Sequence, residues 1–268
     1  MTAGDGYNRH VLRVINVLYL GLVEYSTALT LQQTLVGLVK EGRIGHTLLL
    51  LEHPPVITLG RNATQQNVIA SRDFLASKGI ELLETDRGGD VTFHGPGQLV
   101  GYPIFDLRGF TPRIGAVEFV RKVEEALIRS CGDLGIVTQR IAGSTGVWTD
   151  EPAKIAAIGV HISRGVTSHG FALNVNTNLD YFKLIVPCGI SDKPVTSMER
   201  EATLNPFAKA PRLQEMAELT ARNFGRVFEA QTLWLDSLDS LFHSPEDVPA
   251  RAPEPLRRLA GEEDVYLA

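Results

Sequence analysis

Cysteine is scarce: the 268 residues hold two, Cys131 and Cys188, far apart in the chain. At that density no disulfide framework is expected, and two reduced thiols fit an intracellular protein. Positive charge is not in surplus either. Lys and Arg number 26 against 31 Asp and Glu, for a net charge of −5, and no basic stripe appears. That argues against nucleic acid as the main partner, although a local basic patch could still meet an acidic one. Long hydrophobic runs are missing too. The apolar stretch from Val11 to Leu22 is interrupted by Arg13 and Asn16, so it resembles a strand and not a signal h-region or membrane span. A cytoplasmic protein with no membrane partner is expected. Internal repeats and Cys-x-x-Cys pairs are also absent.

What the chain does have is glycine, concentrated in one run: Arg87-Gly88-Gly89-Asp90-Val91-Thr92-Phe93-His94-Gly95-Pro96-Gly97-Gln98. Gly is conformationally costly and Pro removes a backbone donor, so plain scaffold avoids both. Such a run brings backbone close to a ligand or holds one side chain at a set angle. It fits neither the Walker spacing nor the dinucleotide fingerprint, and a strand follows it where those motifs need a helix. The better reading is a wall for something elongated and apolar, with Phe93, Leu99 and Tyr102 as apolar lining.

Around the run the pattern predicts strands at 12–20, 46–52, 56–59, 80–84 and 99–107, and a short helix at 72–77. A helix capped by Ser26 or Thr27 is expected to run to Lys40 on a Leu29, Leu31, Leu35, Leu38 stripe. A long helix at 114–134 would face Val117, Val120, Val123, Leu127 and Leu134 inward, with Gly135 as its stop. A short strand is expected at 146–149. Two more, 154–163 and 170–176, form a hairpin around Arg164-Gly165-Val166, and a last helix covers 213–230 with Met216, Leu219, Phe224 and Val227 on one side. Strands and helices mix without strict alternation. The expected fold class is α+β, a mixed β-sheet flanked by helices. Residues 1–243 read as a single domain, and 244–268, rich in proline and acids, as a tail.

Four histidines, His53, His94, His161 and His169, lack the spacing of a metal site, and no carboxylate cluster joins them. His161 reads as a satisfied core or edge histidine, whereas His94 is a candidate substrate contact because the Gly-Pro frame fixes its direction. Cys131, inside a long amphipathic helix, reads as a small buried hydrophobe. Cys188 stands between Pro187 and Gly189 and is expected at a loop. A thiolate nucleophile needs a nearby cation or helix N-terminus. Lys154 is a candidate cation, since it opens the apolar strand Ile155-Ala156-Ala157-Ile158-Gly159-Val160, an odd place for a solvated lysine. Spacing alone does not show that the two meet.

These motifs together resemble the octanoyltransferase family of lipoate biosynthesis, also called lipoyl(octanoyl) transferases. The resemblance runs from about Leu20 to Phe224. It rests on Leu20-Gly21-Leu22-Val23-Glu24-Tyr25, His53-Pro54-Pro55-Val56-Ile57-Thr58-Leu59-Gly60, the glycine-rich run with Gln98 to Pro103, Lys154 to Gly159, His169 to Asn174, and Pro187-Cys188-Gly189. It implies the fold shared by biotin and lipoate protein ligases. It also implies transfer of octanoyl from acyl carrier protein to a lysine of a lipoyl domain, in 2-oxoacid dehydrogenase complexes or the glycine-cleavage H protein, without a cofactor or metal. Carried over, Cys188 matches the nucleophile and Lys154 its partner. Arg87 to His94, Ala157, Ile158 and Gly159, and Gly170, Phe171 and Ala172 match the segments lining the acyl site. An ATP-dependent lipoate-protein ligase on the same fold, a non-catalytic binding module and a cysteine hydrolase are the alternatives.

Overall fold

The structure is a computed structural model that describes residues 13–186 and 194–242. Its centre is an eight-stranded mixed sheet. In chain order the strands are β1 (Val14–Leu22), β2 (His46–Glu52), β6 (Gln98–Ile104), β7 (Thr138–Ile141), β8 (Ser144–Thr149), β9 (Lys154–Ser163), β10 (Val166–Asn174) and β11 (Gln231–Trp234), and across the sheet they run β11-β1-β2-β6-β10-β9-β8-β7. β1 pairs in parallel with both β11 and β2, and every other pairing is antiparallel. A second sheet of three strands, β4 (Glu81–Glu84), β3 (Val56–Leu59) and β5 (Val91–His94), stands apart with β3 in the middle.

Strand alternation divides the core in two. Ile15, Val17, Leu48 and Leu50 point to the face covered by α3 (Ala116–Gly132) and α5 (Leu213–Phe228). Leu18, Leu49 and Leu51 point to the opposite face, where α1 (Tyr25–Lys40) packs with Leu31, Leu35 and Leu38. A third cluster, built on Ile57, Leu75, Val91 and Phe93, joins the small sheet to α2 (Arg72–Ser77). Ser71 caps α2, its hydroxyl accepting from the Phe74 N–H at 3.2 Å. One further helix, α4 (Met198–Leu204), begins after Ser197, and the turn between β9 and β10 places Arg164 and Gly165 at positive φ, as a two-residue hairpin requires. Among the described residues no helix is long and apolar enough to cross a membrane.

The mixed sheet and its helices match the expected class, and the differences have local causes. β5 lies inside the glycine-rich run and was not expected there; β3 supplies its ladder, with Ile57 opposite Phe93. β7 and β11 were also unforeseen, being short edge strands, and β11 leaves Leu233 and Trp234 half exposed. The first helix is capped by Glu24 without a side-chain bond, not by Ser26 or Thr27. In α3 the buried stripe is Phe119, Val123, Ala126, Leu127 and Cys131, while Val117 is 74% exposed. The helix meets α5 on the face set by Phe119, which turns Val117 two positions away toward water. Cys131 is fully buried, and burial pushes its thiol up to about 12, so it is the inert apolar residue expected. The tail lies outside the described residues.

Candidate active site

The glycine-rich run bends over β9 and β10 and leaves a cleft between the two sheets, on the α1 side. The space is about 470 Å³ with its open mouth included. Its walls are Arg87, Gly88, Gly89, Asp90, Thr92 and His94 from the run, Ala157, Ile158 and Gly159 from β9, and Gly170, Phe171 and Ala172 from β10. Val91 and Phe93 do not line it. The period of two along β5 sends them into the third core cluster while Thr92 and His94 face the cleft. Leu99 likewise faces the α3 side, whereas Val100 and Tyr102 join the wall with Tyr25 of α1.

Two walls approach so closely that only glycine fits. A Cβ on Gly170 would overlap the Gly101 carbonyl oxygen and come within 2.6 Å of Pro103 Cδ, and one on Gly159 would lie 2.5 Å from the Gly88 oxygen.

Arg87 does not project into solvent. It is buried, and its guanidinium donates from Nη2 to the Thr58 and Asp90 carbonyls at 2.7 and 2.6 Å, from Nη1 to the Gly88 carbonyl at 3.1 Å, and from Nε to Thr58 Oγ1 at 3.1 Å. It therefore ties the run to β3. His94 Nδ1 is 2.8 Å from Gln98 Oε1 and Nε2 is 3.5 Å from Thr58 Oγ1. Gln98 uses its amide group to donate to Asn174 Oδ1 at 2.9 Å, so its oxygen faces His94, and Nδ1 carries the proton. Burial, with the nearness of the His53 ring and the charge of Arg87, holds His94 well below the usual imidazole range. It forms part of the cleft wall as a neutral ring with both nitrogens engaged.

Sequence spacing argued against His53 and His169 as metal ligands, and the structure gives each of them hydrogen-bond partners. His53 Nδ1 donates to the Val23 carbonyl at 2.6 Å, so its Nε2 accepts from the Tyr102 hydroxyl at 2.7 Å. His169 Nε2 and His161 Nδ1 donate to the two oxygens of Asp86 at 2.7 and 2.6 Å. Partial burial raises the Asp86 carboxyl, but these two histidines outweigh it and hold it below the usual carboxylate range. His161 is thus a satisfied edge histidine, as expected. Among the described residues no group of three or more His, Cys, Asp or Glu is arranged to hold a metal ion.

Burial also drives His46 and His53 down to about 4; the Arg13 charge adds to the effect at His46, while the bond to Val23 opposes it at His53. Unfolded, each would take up a proton near pH 6.5. Between those values the unfolded chain binds more protons, so stability rises with pH across the window and is lost on acidification. The loss is expected to approach about 3 kcal/mol per histidine by pH 4. Urea midpoints at pH 7.0 and pH 4.5 check this, and equal midpoints would contradict it.

Lys154 opens β9 and is buried, with 8% exposure. Its ammonium sits 4.8 Å above the centre of the Trp148 ring. Its side chain lines a small space that shares Thr92, Ala157 and Ala172 with the cleft. Its backbone is bonded to the chain that follows residue 193: Lys154 N–H donates to the Pro194 carbonyl at 2.8 Å and the Thr196 N–H donates to the Lys154 carbonyl at 3.0 Å. Asn174 reinforces the joint, its Nδ2 donating to the Thr196 carbonyl at 3.0 Å. Upstream, the Val186 N–H donates to the Asn67 carbonyl at 2.8 Å. Cys188 lies outside the described residues. Sequence reasoning gave no role to Tyr25, Thr58, Gln98 or Asn174. The period of two could have found Gln98, which alternates with Val100 and Tyr102 on one face of β6.

The mixed sheet flanked by helices is also the fold of lipoate-protein ligases. Lipoate-protein ligase A bound with ATP has a TM-score of 0.67 to this structure at 15% identity, covering 92% of this chain and 92% of that one. The bi-partite lipoate protein ligase of Thermoplasma acidophilum has a TM-score of 0.67 at 16% identity, covering 93% and 91%. At such identity these likenesses establish the fold alone. The sequence establishes the class: residues 24–225 match the lipoyl protein ligase A/B catalytic domain, close to the span of the resemblance. The octanoyltransferase of Koribacter versatilis is 66% identical over 256 residues, covering 95% of this chain and 100% of that protein. That of Acidobacterium capsulatum is 60% identical over 234 residues, covering 84% and 94%. The chain belongs to the octanoyltransferases, acyltransferase enzymes of protein lipoylation.

Proposed function

We propose that the chain takes an octanoyl group from acyl carrier protein onto Cys188 and passes it to a lysine of a lipoyl domain, with Lys154 moving the protons. The acceptors are the lipoyl domains of 2-oxoacid dehydrogenase complexes and the glycine-cleavage H protein. The observation that carries this reading is the position of Lys154. Its side chain borders the inner end of the cleft, and its backbone holds the segment that follows Cys188 in the chain.

In the first step the Cys188 sulfur attacks the thioester carbonyl, and Lys154, acting as the neutral amine, receives the thiol proton and becomes the ammonium that Trp148 faces. The bond to the carrier sulfur breaks and the carrier leaves as a thiol, taking that proton. In the second step the acceptor amine attacks the acyl-Cys188 carbonyl and loses a proton to Lys154. The carbon–sulfur bond breaks and Cys188 is re-formed as a thiol. Each intermediate before the product is a thioester and the product is an amide of lower free energy, so no ATP is consumed. Arg87 to His94, Ala157 to Gly159 and Gly170 to Ala172 supply the wall for the acyl chain, Val91 and Phe93 from behind it.

Intact-mass analysis after incubation with octanoyl-carrier protein tests the covalent step. One octanoyl group is expected, on Cys188, and none on the Cys188→Ser protein. Cys131 is the internal control, since its buried thiol should stay unlabelled. Transfer that persists undiminished in Cys188→Ala, or that needs ATP and free acid, would refute the reading in favour of a ligase.

A further inference from the structure

The cleft has a second end, opposite Lys154, that the proposed reaction leaves without a role. Along β9 and β10 the lining stops at Gly159 and His169; Val160 and His161, the next residues of β9, lie just beyond it. There the glycine-rich segment crosses the strand. The Gly88 N–H donates to the Val160 carbonyl at 3.1 Å, leaving no room for a side chain on Gly159. Two residues earlier in the chain, Asp86 grips both strands through His161 on β9 and His169 on β10, at 2.6 and 2.7 Å. His169 is itself held at a positive φ of 54°, its N–H donating to Gln32 Oε1 at 2.8 Å. The crossing is therefore tied at three points, all at the end away from Lys154, and from Ala157, where the lining on β9 begins, to Val160 the strand covers roughly 10 Å.

We propose that this crossing is the end-stop of the acyl cleft, and that Asp86 and His161, by holding it shut, set the longest acyl chain accepted. The inference rests on the function proposed above, which puts the carbonyl at Lys154 and the chain tail toward Gly159. An extended octanoyl chain fits within that span. Each added methylene brings the tail nearer to the Gly88–Val160 contact, where it must buckle or push the segment aside. Neither Asp86 nor His161 lines the cleft, so both are positioning residues that act through Gly88 and His169.

The test compares kcat/KM for dodecanoyl- and octanoyl-carrier protein in the full chain and in its Asp86→Ala and His161→Ala variants. The dodecanoyl-to-octanoyl ratio is expected to rise about tenfold or more in Asp86→Ala, by the usual worth of misfit methylenes. In His161→Ala, where the tie to His169 remains, a smaller rise in the same direction is expected. General destabilisation would lower both rates and leave the ratio alone. An unchanged ratio in a variant that melts at the parent temperature overturns the proposal. If Asp86→Ala does not fold, His161→Ala decides it, since that side chain is 26% exposed and its loss leaves Asp86 tied to His169. A parallel series with free acids and ATP separates the two ideas. Turnover only in that series refutes the proposed acyl-carrier reaction, while the chain-length ratio within it still decides the end-stop.

Discussion

Replacing Lys154 by Met is expected to slow octanoyl transfer by a factor of about 10²–10⁴, the usual worth of a positioned proton-transfer group. Met retains the apolar stem and fills the space over Trp148, so the fold is expected to survive with a loss of about 1 kcal/mol, mainly the cation–π contact. Both half-reactions should slow, because the same amine serves Cys188 in the first and the acceptor lysine in the second. Rapid-quench measurement of acyl-enzyme formation and of its discharge to a lipoyl domain reads the two separately. Lys154→Arg separates charge from proton transfer: it keeps a cation but gives up no proton at neutral pH. Parent rates in Lys154→Met, with the urea midpoint unchanged, would remove Lys154 from the mechanism and leave it as the residue that stitches β9 to Pro194 and Thr196.

Gly170→Ala is expected to destabilise the protein by about 3 kcal/mol or more, the upper range for forcing atoms into a filled core. The added methyl would overlap the carbonyl oxygen of Gly101 on the neighbouring strand, and backbone cannot move aside as a side chain can. The strands would have to part where Phe171 and Ala172 line the cleft, so octanoyl transfer should fall as well. Gly37→Ala is the contrasting control. It lies inside α1 with nothing within 4 Å of its new Cβ, and it should stabilise by about 0.5–1 kcal/mol through helix propensity. Urea unfolding of the two variants checks both signs, and a Gly170→Ala midpoint equal to the parent's would contradict the packing argument.

Both variants bear on what the sequence could and could not convey. The glycine-rich run was visible at once, but its reason was not. Gly159 and Gly170 are glycine because backbone from distant segments passes within contact distance, and no local pattern reports that. The same holds for Arg87, which by position in a glycine run invites a role in ligand binding. It lines the cleft, and its guanidinium is held there by Thr58, Gly88 and Asp90, a partnership that crosses up to 29 residues. The error at Val117 was of another kind: an apolar residue near a helix start was counted into the buried stripe before the packing partner of the helix was known.

By itself the sequence determined the long helices and most of the central strands, the α+β class, the family, and which described segments gather the cleft. Those properties follow from short-range chemistry: side-chain period, turn residues, and ordered motifs that are specific in combination. Only the tertiary structure decided which faces of those segments look into the cleft, sending Thr92 and His94 inward and Val91 and Phe93 away. It alone joined Asp86 to His161 and His169, and Lys154 to Pro194 and Thr196. Such contacts arise when strands far apart in the chain are brought side by side, and their register is set by the packing of whole sheets, which no single stretch of residues encodes.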